Sequence, residues 1–444
     1  MKSNHCPEWI LLTAVALLLG AVVHPAGAAD DAGIPGGFLR FGASARSLAL
    51  GNAVTGLADD VATAYWNPAG LAQLRTMEVT GMGATMFNDT RYTFFALGLP
   101  TESWGTFSLN GTFTHSGEFE RATWDADLDE TFSEKEGIFS LGYANGGTRF
   151  TYGVNLKAAN QNIGGASGSS TGLDAGVLFR PHRSFSVGAA VQNLIAPKIT
   201  LVEEEEELAT SVRAGLALRF FHNRLRMSTD LVKTKYMDTS FRAGLELAPS
   251  RYLVLRGGYD AQREHMSAGA GFRLENWQFD YAFVSTDLGA QNVVSATLRF
   301  GVPFGVKMQT DRALFSPSGS DRSVTFDIET AVRGTIESWR LEIRDSAGTS
   351  VRTLSGNGLP PAGVTWGGED EDGRLVDDGK YDVRVTVVDD MGTEWDYQTG
   401  VEIMGFEDRT RVPIRVEVSG NESTNSAEQG SVSTDYSGYQ GGNK

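Results

Sequence analysis

Few groups in the 444-residue chain could carry covalent chemistry. Gly168-Ser169-Ser170-Thr171-Gly172 fits the G-x-S-x-G pattern of a nucleophile elbow, which works only where a strand turns sharply into a helix, whereas this copy reads as a Gly/Ser-rich loop. His115, His182, His222 and His265 are scattered, with no H-E-x-x-H or comparable ligand spacing, so metal catalysis is not expected. Carboxylates run together at residues 203–207 and at Glu369-Asp370-Glu371-Asp372-Gly373. Either run offers the oxygen ligands that Ca²⁺ takes, but a run of like charges more often forms a solvated, self-repelling loop. No metal and no cofactor is assigned, and the chain is not expected to be an enzyme. Cys6 lies ahead of an apolar run near the amino terminus, which leaves no disulfide or thiolate chemistry to the rest of the chain.

A second set of charges is patterned differently. Arg213, Arg219, Arg226, Arg242, Arg256, Arg273 and Arg299, together with Asp230, Glu246 and Asp280, alternate with apolar neighbours. Period-two alternation places the charges on one face of extended strands and Leu, Phe and Trp on the other. On a lipid-facing surface each Arg would cost about 2–4 kcal/mol near the membrane midplane, so the charged face belongs in a lumen that supplies water or counter-ions. Two roles follow for these residues: an ion-pair ladder that seals and stiffens a barrel, or the wall of a solute path. The ladder is the expected one.

The strands that must position these charges are short and numerous. Alternation is clearest at residues 212–220 and recurs at 185–192, 241–248, 266–274, 277–283 and 294–300. Each segment is close to the roughly nine to eleven residues of a tilted membrane strand, and about fourteen of them, an even number, fill residues 76–303. Trp277, Phe279, Tyr281 and Phe283 share one face, as expected of a lipid-facing strand. A soluble β-sandwich alternates as well, but its outer face would be dense in Lys and Thr, whereas here the face opposite the large apolar residues holds Gly, Ala, Ser, Arg and Asp.

Connections carry independent information, because outer-membrane barrels have short periplasmic turns and longer outer loops. Tight connections near 100–103, 145–147, 181–183, 222–223, 249–250 and 275–276 interleave with longer ones at 115–132, 161–171, 194–207 and 261–265. Fourteen strands then return the chain to the periplasm near Pro303, and whatever follows should be periplasmic. The first residues support export: Lys2 heads an apolar run at 9–23, followed by the small-x-small pattern Ala26-Gly27-Ala28, giving a signal peptide over residues 1–28. A net charge of −17 argues against a nucleic-acid partner, since phosphate binding needs clustered Lys and Arg. Much of that acidity sits in residues 310–419, with 22 acids against 12 bases, and residues 420–444 are a Ser/Gly/Asn tail too poor in apolar groups to fold.

Between signal and barrel, residues 30–75 are rich in Gly and Ala. They contain Gly42-Ala43-Ser44-Ala45-Arg46-Ser47-Leu48-Ala49-Leu50-Gly51-Asn52-Ala53, then Asp59-Asp60, then Tyr65-Trp66-Asn67-Pro68-Ala69-Gly70-Leu71. This stretch resembles the amino-terminal signature of PorV/PorQ-type outer-membrane proteins, and its Asn67-Pro68-Ala69-Gly70-Leu71 core is similar to the opening of the FadL family of hydrophobic-substrate transporters. The resemblance implies a fourteen-stranded barrel with an amino-terminal plug. Read from the residues themselves, Asn67-Pro68 favours a turn that ends any preceding helix.

The acidic block resembles the FlgD-like immunoglobulin module. The resemblance rests on Phe315-Ser316-Pro317, Val324-Thr325-Phe326, Asp345-Ser346-Ala347-Gly348, Gly363-Val364-Thr365-Trp366, Asp372-Gly373 and Gly379-Lys380-Tyr381-Asp382-Val383. Short β-branched strands broken by Gly and Asp turns suit a seven-stranded sandwich. Gly367 stands where the family usually continues Trp-Asp, and residues 401–418 add an alternating segment beyond the usual module.

The expected protein is therefore all-β: a signal peptide (1–28), an N-terminal plug (30–75), a 14-stranded outer-membrane barrel (76–303), a periplasmic Ig-like sandwich (310–419) and a disordered tail (420–444). Its expected partners are outer-membrane lipid and a secretion-system or secreted client protein, because the PorV-like resemblance implies an accessory role in protein secretion or surface attachment. The alternative implied by the FadL-like core is passive transport of a hydrophobic small molecule, and a structural envelope protein is the third possibility.

Overall fold

The computed structural model describes residues 36–404, apart from 87–88, 121–130, 222, 287–288, 302–303, 320, 333, 391 and 393. The expected signal peptide, His222, residues 405–418 and the tail lie outside the described residues.

Alternating strands bury their polar face by closing on themselves. The strands are β1 (Met77–Thr85), β2 (Arg91–Pro100), β3 (Thr106–His115), β4 (Glu134–Gly146), β5 (Phe150–Ile163), β6 (Ala166–His182) and β7 (Phe185–Ile195), followed by β8 (Ser211–Phe220), β9 (Leu225–Thr234), β10 (Thr239–Leu247), β11 (Leu253–Asp260), β12 (His265–Leu274), β13 (Trp277–Thr286) and β14 (Gly289–Phe300). Each pairs antiparallel with its sequence neighbours, and β1 pairs with β14 from Met77↔Phe300 to Ala84↔Val293, so the fourteen-stranded barrel has no free edge. On β5, Thr151, Gly153, Asn155 and Lys157 point inward and are buried, while Tyr152, Val154 and Leu156 between them are exposed. On β13, Trp277, Phe279, Tyr281 and Phe283 are exposed, and the Trp277 and Phe279 rings stack with centroids 5.8 Å apart.

Two stretches read as long loops are hairpins. Strands β5 and β6 stay paired as far as Ile163↔Ala166 and are joined by Gly164-Gly165, whose φ values of 55° and 91° suit a two-residue turn. Residues 161–171 are therefore paired strand ends rather than a loop, and the Gly168–Gly172 pattern lies inside β6, where the strand–turn–helix setting of a nucleophile elbow does not exist. The 194–207 connection holds a second hairpin, Lys198–Thr200 paired with Glu205–Glu207. Its Ile199 and the following Leu208 turn inward and are buried.

Residues 36–74 fill the lumen with short turns around one helix, α1 (Ala45–Ala49). Ser44 and Ser47 open that helix with a reciprocal capping box: Ser44 Oγ accepts from Ser47 N–H (3.1 Å) and Ser47 Oγ accepts from Ser44 N–H (3.2 Å). The wall facing this plug must be thin. A Cβ at Gly188 would collide with the Thr55 carbonyl oxygen, and one at Gly258 with the Gly51 backbone nitrogen, so glycine at these positions lets plug and wall meet backbone to backbone.

Beyond the barrel lie β15 (Gly305–Thr310), β16 (Leu314–Phe315), β17 (Val324–Ala331), β18 (Ile336–Arg344), β19 (Ser350–Asn357), β20 (Gly363–Trp366), β21 (Gly379–Asp389) and β22 (Glu394–Ile403). They form a three-stranded sheet, β15-β17-β20, and a five-stranded sheet, β16-β22-β21-β18-β19. The described sandwich thus has eight strands where seven were expected, because the two-residue β16 adds in parallel to β22. Its core is apolar, with Phe326, Leu341, Ile343, Trp366, Val383, Val385 and Val387 buried. Val401 and Ile403, expected beyond the module, are part of β22 and of this core.

Candidate functional site

The charged lumen is built where inward positions of β8–β14 meet the plug. Glu246 on β10 is its centre. Arg46 of α1 (3.0 Å), Arg226 of β9 (3.0 Å) and Arg256 of β11 (2.7 Å) all pair with this one carboxylate, whose side chain is 3% exposed, and Arg273 approaches to 4.0 Å. Arg256 continues to Asp280 on β13 (2.8 Å), and Gln278 also donates to Asp280 (2.8 Å). Arg46 continues within the plug to Asp59 (2.7 Å) and Asp60, and Arg226 reaches Asp59 as well (3.0 Å). Plug and wall therefore share one ion network, in which removing either side leaves buried charge without its partner.

A second cluster lies beside it. Arg213 on β8 donates to Asp230 on β9 (2.9 Å) and to the Asn52 carbonyl (2.7 Å), and its guanidinium lies 4.4 Å from the Trp66 ring centroid. Asp230 also accepts from the Thr55 backbone N–H (3.0 Å) and hydroxyl (2.6 Å). Arg242 makes an ion pair with Asp260 at 3.1 Å, and Arg299 donates to Glu78 at 2.9 Å. Lys157 on β5 pairs with Asp174 on β6 (2.7 Å), whose carboxylate accepts from the Asn193 backbone N–H (2.6 Å).

The Asn67-Pro68-Ala69-Gly70-Leu71 segment is buried against this wall. Asn67 caps the 3₁₀ turn Pro68–Gln73 by accepting from the Ala69 N–H (3.2 Å), with Pro68 at the first turn position, where its missing N–H costs nothing. The amide of Asn67 donates to Thr55 O in the plug (2.9 Å) and to Val177 O in the wall (3.1 Å), so one side chain fixes both the local turn and its seat. Leu71 is fully buried.

Alternation on β8–β14 had pointed to the wall charges from Arg213 to Arg299. It had not pointed to Arg46, Asp59, Asp60, Glu78, Lys157, Asp174 or Asp260, which complete the pairs. Lys157 and Asp174 had a usable signal, since both occupy inward positions of the same two-residue period. Arg46 had none toward the wall, because its partner there, Glu246, lies 200 residues away.

The remaining candidates do not converge. His115 and His265 end strands at one mouth of the barrel and His182 at the other. Glu205 pairs with Lys198 (3.0 Å) and Glu207 with Lys235 (3.5 Å). Asp370 accepts from the N–H groups of Asp372 and Arg374, and Glu371 from that of Thr353. Among the described residues, no three His, Cys, Asp or Glu side chains are grouped as metal ligands.

Space inside the molecule is unevenly placed. A void of about 30 Å³ lies among Trp66, Lys157, Asn193 and Arg213, whereas a cavity of about 520 Å³ opens at the barrel mouth next to the sandwich. Arg75, Arg180, Arg183, Arg219, Arg226 and Arg299 line this cavity with Asp59, Glu78, Asp389 and Trp395. The sandwich meets the barrel here: Thr148 donates to Asp390 (2.9 Å), and Arg75 stacks 4.7 Å from the Trp395 ring centroid. Burial pushes the Arg75 guanidinium below its ordinary range, an effect that the charge of Asp389 opposes.

The family model described as the FlgD Ig-like domain matches residues 316–390. Over the barrel, the chain is similar to the solved structure of the Pseudomonas putida toluene transporter TodX, at 11% identity and a TM-score of 0.43, covering 59% of this chain and 98% of that one. It is also similar to a Pseudomonas aeruginosa FadL homologue (11% identity, TM-score 0.39, 55% and 95% covered) and to a Rhodopseudomonas blastica porin triple mutant (11%, 0.28, 51% and 99%). No curated protein matches the chain.

Proposed function

We propose that the chain is a non-enzymatic outer-membrane barrel, held closed by its own plug, that anchors an Ig-like domain on the periplasmic side as an accessory to protein secretion or surface attachment. The observation that carries this reading is the ion network joining Arg46, Asp59 and Asp60 of the plug to Arg226, Glu246 and Arg256 of the wall. A lumen filled in this way is a seal, so the work of the protein lies at its two ends and its lipid-facing surface. The exposed belt of Phe139, Leu141, Tyr152, Leu156 and Trp277 supports a lipid surround, since such a belt in water would be an aggregation surface. Short turns at the mouth that carries the sandwich support a periplasmic position for that domain. The accessory role itself is the one implied by the PorV-like signature around Asn67.

A second reading is passive transport of a hydrophobic compound. Pairing of β6 with β7 slips between Leu173/Ala175 and Ile195/Val191, and Asn193, in the left-handed region at φ 55°, sits at that break beside the 30 Å³ void. A break in the wall with a void behind it is where a lateral exit would start.

Impermeant thiol labelling of intact cells tests the arrangement. Single cysteines at Ser167 and Glu205 should react and one at Ser346 should not; the reverse pattern would put the sandwich outside. A deletion strain separates the roles. Retention of surface proteins inside the cell supports the accessory reading, whereas normal secretion with lost uptake of a hydrophobic compound supports transport.

A further inference from the structure

The 520 Å³ cavity between the barrel mouth and the sandwich carries an excess of cations in a strongly acidic chain. Six arginines line it against three carboxylates, while the whole chain carries −17. Two of the six are already committed: Arg226 pairs with Asp59 and Glu246, and Arg299 pairs with Glu78. Arg180 and Arg219 differ. Arg180 donates to the Thr148 carbonyl through Nε (3.2 Å) and Nη2 (2.9 Å) and to Gln73 Oε1 through Nη1 (2.7 Å). Arg219 donates to Ser186 Oγ (2.9 Å) and the Leu57 carbonyl (3.3 Å). All these acceptors are neutral, and among the described residues no carboxylate forms an ion pair with either arginine.

A guanidinium has five N–H donors in a rigid fork. The bonds above use three in Arg180 and two in Arg219, so each keeps N–H groups for the cavity while its orientation is held by the protein. Half-buried cations held in this way at the edge of a polar cavity form a preorganised receptor for a doubly charged oxyanion, because guanidinium–phosphate bonds are charge-assisted and forked. We propose that this cavity binds a phosphate group at Arg180 and Arg219, carried either by a small soluble phosphate or by the headgroup of a phospholipid at the adjacent membrane surface.

Calorimetric titration of the full chain in detergent micelles with inorganic phosphate, at constant ionic strength set by chloride, tests the proposal. One saturable site per chain is expected, with binding at least tenfold weaker in Arg180→Gln and in Arg219→Gln and unchanged in Arg312→Gln on the exposed face of the sandwich. Retention of heat-modifiable gel migration establishes that each variant is folded. Where a Gln variant loses it, Arg180→Lys, which keeps the charge and loses the fork, should still weaken binding severalfold. Repeating the titration in nanodiscs of phosphatidylglycerol separates the sources: binding that persists there identifies a soluble phosphate, and binding blocked there identifies the headgroup. Absence of saturable binding in micelles, or equal binding by wild type and the folded Arg180 and Arg219 variants, would overturn the proposal.

Discussion

The barrel and the sandwich are both antiparallel β-structures with two-residue alternation, yet they are inside out relative to each other. In the barrel, Arg213, Asp230, Arg256 and Glu246 are buried while Phe139, Leu141 and Trp277 face outward. In the sandwich, Phe326, Leu341, Trp366 and Val385 are buried, and its ion pairs lie outside, as in Arg384–Asp396, whose side chains are about half exposed. The same strand pattern thus serves two solvents, and the character of the buried face says which one surrounds it. It also sets where stability resides: in the barrel, in mutual compensation of charges that cannot reach water; in the sandwich, in apolar area removed from water.

The largest effect should come from the centre of the lumen. Glu246→Ala would leave Arg46, Arg226 and Arg256 without their common partner, at a cost of about 3–5 kcal/mol. Urea unfolding followed by loss of heat-modifiable migration would measure it, and a change below about 1 kcal/mol would mean the network is not what holds plug to wall.

In the sandwich the order of sensitivity should reverse. Leu341→Ala should cost about 2–5 kcal/mol by opening a cavity in the apolar core, while Arg384→Ala, which breaks an exposed pair, should cost no more than about 1 kcal/mol. Thermal melting of the full chain, monitored by tryptophan fluorescence, compares the two. A larger loss from Arg384→Ala than from Leu341→Ala would erase the contrast between the regions.

The smallest effect is acid sensitivity of the sandwich. A backbone N–H from Thr325 (2.8 Å) holds Asp311 below the ordinary carboxylate range, and hydrogen bonding from Arg344 does the same for Glu342. Carboxylates depressed in the folded state stabilise it above their unfolded values, and that contribution disappears as pH falls through the folded ones. Sandwich melting should therefore be flat from pH 7 to about 5 and fall below about pH 4. Asp311→Asn should reduce that fall, and a fall already under way at pH 6 would point to other groups.

How much of this was readable from residue order depends on range. Inward and outward faces of β8 to β14 follow from period two alone, because each side chain's direction is set by its neighbours. Asn67-Pro68 likewise carries its turn locally, through an Asn cap and a Pro with no N–H to satisfy. What residue order could not supply was the plug's share of the charge network, since Arg46 and Glu246 are brought together only by closing the barrel around the plug. Residues 161–171 misled for another reason. Gly and Ser were read as loop formers, yet the turn is made by Gly164-Gly165 alone, and the following small residues form the upper part of β6.

The central claim is that the plug closes the lumen, and electrical conductance in planar bilayers tests it most directly. The full chain should insert without opening a steady ion path, whereas a variant lacking residues 37–72 should conduct as soon as it inserts, because the charged wall would then enclose water. A deletion variant that inserts with heat-modifiable migration yet stays closed, or a full chain that conducts as freely as the deletion, would contradict the account.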